Sequence, residues 1–159
     1  MSAIKLQGNA GGTGTLTVAA PSTNTNRTLT LPDATGTFLT SASALITSAT
    51  GSIGYATGAG GAVTQATSRT TGVTVNTPTG AITMFSAIGS VTAATFTVTN
   101  SSVAATDNIV VNQKSGTNLY ILLVTAVAAG SFNITFYTTG GIATDAPVIN
   151  FSVIKGVAA

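Results

Sequence analysis

The chain has 159 residues, room for one small domain with an appendage, and only 5% of them are charged, against roughly 25% in ordinary soluble domains. Five basic and three acidic residues leave a net charge of +2, and Lys5, Arg27, Arg69, Lys114 and Lys155 are never adjacent, so no basic stripe follows a phosphate backbone and nucleic-acid binding is disfavoured. With no cysteine and no histidine, disulfides, thiolate metal sites and imidazole catalysis are excluded.

The start, "MSAIKLQGNAGG", has no apolar core of signal-peptide length, which predicts that nothing directs the chain to secretion. The next zone, Gly12 to Thr40, contains "TLTV" and "RTLTLP", whose period of 2 puts Leu16 and Val18 on one face and Leu29 and Leu31 on one face. "PSTNTN" and "PDATG" supply turn chemistry between and after them. Such short strands build no core of their own, because a lone hairpin is marginal in water. Residues 1–40 are therefore expected to be a β-arm that packs on something else. "SASALITSATGS", Ser41 to Ser52, reads as a linker with room for one short helix, capped at Ser41 or Ser43 and ended at Gly51.

From Ile53 onward the pattern is a succession of strands. "AVTQAT", "GVTVN", "AITMF", "ATFTVTN", "DNIVVNQ", "LYILLVTAV", "SFNITFYT" and "PVINFSVIK" succeed one another with turn signals between them. Short strands at such even spacing predict a sandwich or barrel. The fold expected for 53–159 is all-β, a compact antiparallel β-sandwich of jelly-roll-like form. Phe96 and Val98, then Phe132, Ile134 and Phe136, then Ile149, Phe151 and Val153, are the predicted core faces. "LYILLVTAV" differs: Tyr120, Leu122 and Val124 occupy one face, while Ile121, Leu123 and Val127 occupy the other. A strand apolar on both faces asks for cover on both. Either a symmetry-related copy or the chain's own N-terminal zone supplies the second cover.

A mean hydropathy of +0.51 invites a membrane reading, but the longest apolar stretch, Leu119 to Gly130, is about half the roughly 20 residues of a spanning helix. About one residue in five is threonine, so the surface is a neutral one of hydroxyls and amides. Without the net charge that keeps small proteins apart, much of that surface is expected to be covered by other chains.

The glycine-rich stretch "GYATGAGGAVTQATSRTTGVTV", Gly54 to Val75, looks like a phosphate loop and fails as one. After Gly60 and Gly61 come Ala62 and Val63 rather than Lys and Ser/Thr, and the third glycine of G-x-G-x-x-G is replaced by Val63. Glycines there suit positive φ or close backbone approach. Without His, Cys or Glu, a triad or thiol mechanism lacks its base. Asp33, Asp107 and Asp145 are the only acids, the first two in turn settings where Asp accepts backbone N–H bonds. The expectation is no enzyme, no metal and no cofactor.

Three stretches together resemble tailed-bacteriophage virion structural proteins. "GTGTLTVAAPSTNTNRTLTLPDATGTFLT" is similar to a β-arm near the start of such proteins. "IGYATGAGGAVTQATSRTTGVTVNTPTGAITM" is similar to the opening of a small β-domain of fibre, tail and head-decoration proteins, Ser68 to Thr74 matching its "S/T-R/K-x-T-G-V-T" piece. "APVINFSVIKG" resembles its closing strand. The resemblance implies a homotrimeric, non-enzymatic virion component, its oligomer interface expected at Tyr120, Leu122, Leu123 and Val124. A short arm before a compact knob suits a capsid decoration (cement) protein. Its partners would be itself and the major capsid protein, with no nucleic acid and no membrane. It would be assembled in the host cytoplasm and sit on the outer capsid surface of the virion, with Leu16, Val18, Leu29 and Leu31 as capsid contacts. The alternative is a receptor-binding module of a tail or fibre tip that holds a host-surface glycan, with Tyr137 as its outward aromatic.

Overall fold

The computed structural model describes residues 11–13, 22, 24–26 and 54–157. The expected capsid contacts Leu16, Val18, Leu29 and Leu31, the acid Asp33 and the linker at 41–52 lie outside the described residues. The chain divides into two compact units, Met1–Ile46 and Thr47–Ala159, and the β-domain belongs to the second.

Among the described residues this domain has ten strands: β1 Gly60–Thr64, β2 Val73–Thr74, β3 Thr79–Thr83, β4 Ala87–Ile88, β5 Ala94–Thr99, β6 Asn108–Ser115, β7 Tyr120–Ala128, β8 Ser131–Thr138, β9 Thr144–Asp145 and β10 Val148–Ile154. They form two four-stranded sheets, β1-β3-β10-β6 and β2-β5-β8-β7, and a two-stranded ribbon, β4-β9. The eight expected strands all appear, whereas β4 and β9, two residues each, are too short to carry a periodicity that would announce them.

The sheets are mixed, which corrects the purely antiparallel, jelly-roll-like expectation. β1 runs parallel to β3, and β2 parallel to β5. A parallel pair needs a crossover, and here each sheet serves as the other's connection. The chain leaves β1, visits the second sheet as β2, and returns as β3.

Alternation decides which side chains enter the gap between the sheets. Phe96, Val98, Phe132, Ile134, Phe136, Ile149, Phe151 and Val153 are all buried there, as their spacing predicts, and Ile82 of β3 joins them. The Phe132 and Phe151 rings, from opposite sheets, meet with centroids 5.6 Å apart, and each fully buried aromatic of this kind contributes roughly 1.5–3 kcal/mol. Phe151 lies directly across from Gly80, where a Cβ would come 2.6 Å from the Gly61 carbonyl and 2.8 Å from the ring, so only glycine fits there.

In β7 the register slips between Val124 and Ala126. This bulge turns the strand over, so Val127 joins Leu122 and Val124 against the core instead of facing away with Ile121 and Leu123.

The glycines of the opening loop serve the fold. Gly58 has φ of 90°, and a Cβ on Gly61 would fall 2.9 Å from the Val75 side chain. They lead into the strand β1, not into the helix a phosphate loop requires.

Candidate functional site

Strand directions sort the connecting loops to two ends. The apex gathers 65–72, 84–93, 116–119 and 139–147, and the base holds Gly54, Tyr55, 100–107 and Lys155. Tyr55 donates its hydroxyl to the Val153 carbonyl at the base.

At the apex a single guanidinium ties four loops together. Arg69 Nε donates to the Phe85 carbonyl at 3.0 Å. Nη1 donates to the Tyr120 hydroxyl at 2.7 Å. Nη2 donates to the Ala87 carbonyl at 2.6 Å, the Asp145 carbonyl at 2.7 Å and Asp145 Oδ1 at 2.8 Å. Lysine, a point charge without the planar fork, cannot replace that pattern. The Tyr120 hydroxyl in turn donates to Asp145 Oδ1 at 2.7 Å. Asp145 Oδ2 accepts the backbone N–H of Thr117 at 2.9 Å and of Asn118 at 3.1 Å. Burial pushes the Asp145 carboxyl upward in pKa, but donation from Tyr120, Asn118, Arg69 and Thr117 outweighs it and leaves the group below its ordinary value. Burial, and after it the bond to Asp145, raises the Tyr120 hydroxyl above its ordinary value.

Gln65 and Gln113 extend the network. Gln65 Nε2 donates to the Arg69 and Thr71 carbonyls, and Gln113 Nε2 to the Asn118 carbonyl. Among the described residues no buried side-chain nitrogen or oxygen lacks a partner. A network in which every buried polar side-chain atom has a partner holds the loops in one arrangement and acts as a lock. Its mechanical product is a fixed apex on which Ile88, Val91, Leu119 and Ile142 stand exposed.

Asp107 and Asp145 sit at opposite ends and form no carboxylate pair. Asp107 accepts from Ala104 N–H at 2.8 Å and from Lys155 Nζ at 2.6 Å. The turn setting read for Asp107 is therefore the one it occupies, and Asp145 proves to be a ribbon residue in the lock.

The flank of the second sheet is the other candidate surface. Its outer face over β5 and β8 is a hydroxyl ladder: Thr95 meets Thr135 at 2.7 Å, Thr125 meets Thr135 at 2.8 Å, and Thr97 donates to Asn133 at 2.9 Å. β7 closes this sheet and, among the described residues, pairs only with β8, so its other backbone edge has no strand beside it, although the Tyr120 N–H donates to Gln113 Oε1 at 2.9 Å. Of the four residues expected at an oligomer interface, Tyr120 enters the apical lock and Leu122 and Val124 pack on the core. Leu123 alone points outward, 48% exposed, beside half-buried Ile121. Among the described residues no cover is seen on this flank.

The spacing of Arg69, Tyr120 and Asp145 in sequence gave no warning that they meet. The only local signal was polarity where a loop should be free, at Gln65 and Asn118. The chain matches no protein-family model, and comparison with curated proteins and with solved structures finds no match.

Proposed function

We propose that the protein is a structural virion component, a homotrimeric capsid decoration protein that binds the outer shell of a phage head and stabilises it against internal DNA pressure. One observation carries the assembly part: β7 is a long, apolar edge strand with Leu123 half exposed and Ile121 beside it. Edges of this kind are normally blunted by charge, proline or a bulge, because they template pairing with other chains. β7 has a bulge but neither charge nor proline along its nine residues. A neighbouring copy supplies the missing cover and joins the knobs, while residues 1–40 anchor them by adding strands to capsid sheets through backbone hydrogen bonds. The lock at the apex and the saturated polar network favour a load-bearing part over a catalyst. The resemblance of the arm, the opening segment and the closing strand to virion proteins supports a place in the virion, in head and tail alike.

A receptor-binding tip is the second reading, favoured by the exposed Ile88, Val91, Leu119 and Ile142 at the end remote from Gly54. Deleting residues 1–40 separates the two. For a decoration protein the truncated chain stays a soluble trimer and no longer binds purified capsids. If it still decorates them fully, the arm is not the anchor. Attachment of the intact protein to host cells without capsid binding would establish the tip instead.

A further inference from the structure

The outer face of the first sheet carries side chains that the fold does not use. Of the sandwich's asparagines and glutamines, Gln65, Asn76, Asn100, Gln113, Asn118 and Asn133 all hydrogen-bond within the protein. Asn108, at the start of β6, has no such partner among the described residues, and neither do Asn112 and Asn150. The last two stand directly opposite each other on β6 and β10, side by side on the same face. Beyond Asn112 the β6–β10 register shifts, and Lys114 sits at that irregularity, where a strand re-aims its side chains. Arg69 is paired with Asp145 and Lys155 with Asp107, so Lys114 is the one cation of this domain with no acid beside it among the described residues.

These groups converge on one place. A shallow depression of about 330 Å³ is lined by Thr79, Asn112, Lys114, Asn150 and Ser152, with Ala81 among the small residues at its floor. The Thr79 hydroxyl donates to the Phe151 carbonyl at 2.9 Å and lies 3.3 Å from the Ser152 hydroxyl, which therefore donates to it, so the two hydroxyl oxygens keep lone pairs to accept but no free proton. The lining thus offers two amides with both donors and acceptors, two hydroxyl oxygens as acceptors, one ammonium and a small apolar floor.

The geometry points to a binding site for a carboxylate-bearing oligosaccharide of the uronic-acid type on this face. Vicinal sugar hydroxyls need groups that donate and accept at once, which Asn112 and Asn150 do, and a single carboxylate needs a single cation, which is Lys114. The floor leaves room for the flat apolar side of a pyranose ring. A polyphosphate or nucleic acid is a poorer match, because one lysine neutralises one charge among many. An extended peptide is a poorer one too, since the middle of a sheet face has no free backbone edge to extend. The site needs only the sandwich and does not depend on the capsid reading. Arrayed copies would turn a weak single site into useful avidity.

The test uses the full chain with tri-galacturonate and its methyl ester as probes, read by titration and by the side-chain amide resonances of Asn112 and Asn150. The acid is expected to shift both amides and to bind roughly fivefold more tightly than the ester. Lys114→Ala should erase that preference without altering the fold, Lys114→Arg should keep it, and Asn112→Ala should weaken acid and ester alike. Equal binding of acid and ester, unchanged binding by Lys114→Ala, or unmoved amides at about 10 mM sugar, enough to half-fill even a weak site, would each overturn the proposal.

Discussion

The two ends of the sandwich hold the same kind of bond and treat it differently. At the apex Arg69 and Asp145 meet at 2.8 Å with side chains 9% and 5% exposed. At the base Lys155 and Asp107 meet at 2.6 Å, with side chains 65% and 1% exposed. The shorter bond is the less important one. Lys155 is a flexible ammonium largely in water, where an ion pair is worth little. Arg69 is withdrawn from water and satisfies several loop carbonyls as well as a carboxylate, so its loss strands a buried charge and unpairs the backbone together. Arg69→Leu is therefore expected to cost about 3–5 kcal/mol, a large share of the roughly 5–15 kcal/mol that holds a domain folded. Arg69→Lys should recover little of this for want of the fork. Urea unfolding of both variants checks it, and a Lys variant as stable as the parent would show that charge alone suffices at the apex.

A second contrast runs across β7, between neighbours in sequence. Leu122 packs on the core and Leu123 faces out. Leu122→Asp puts a carboxylate among Phe136 and its neighbours, so it should destabilise the monomer itself by a few kcal/mol, more than its effect on any assembly. Leu123→Asp should leave monomer stability within about 0.5 kcal/mol while lowering the mass of the particle in solution. Light scattering beside thermal unfolding distinguishes them. If Leu123→Asp leaves the oligomer intact, the outer flank of β7 is not the interface.

Strand positions were legible because burial on one face imposes period 2, and β5, β8 and β10 obey it residue by residue. Which strands pair was not, because pairing is a contact between distant segments that leaves no mark on either. The parallel β1–β3 and β2–β5 pairs fall in that class. So does the bulge at Thr125, whose one extra residue exchanges the faces of Val127 and its predecessors. At the lock, nothing around Asp145 in the sequence announces a role, and only the meeting of four loops reveals its partners. The same holds for the sheet-face depression, where only the β6–β10 register sets Asn112 and Asn150 side by side.

The smallest expected effect is at the base, and it has a definite sign. The Asp107 carboxyl is held below its ordinary pKa first by the Ala104 N–H and then by Lys155. A depressed acid contributes stability that is present above its unfolded pKa and lost as pH falls through the folded one. Lys155→Ala removes the second cause and keeps the first, so the Asp107 titration, monitored by its carboxyl carbon resonance, should move up only part of the way to the ordinary value. The acid limb of the unfolding curve should begin at slightly higher pH, and in about 1 M salt, where charges are screened within about 3 Å, parent and variant should differ less. Asp145, depressed by bonds from Tyr120 and the backbone as well as by Arg69, should titrate unchanged in the same variant. If Asp145 moves with Asp107, the two ends are electrostatically coupled through the core and the apex is not the independent lock its hydrogen bonds describe.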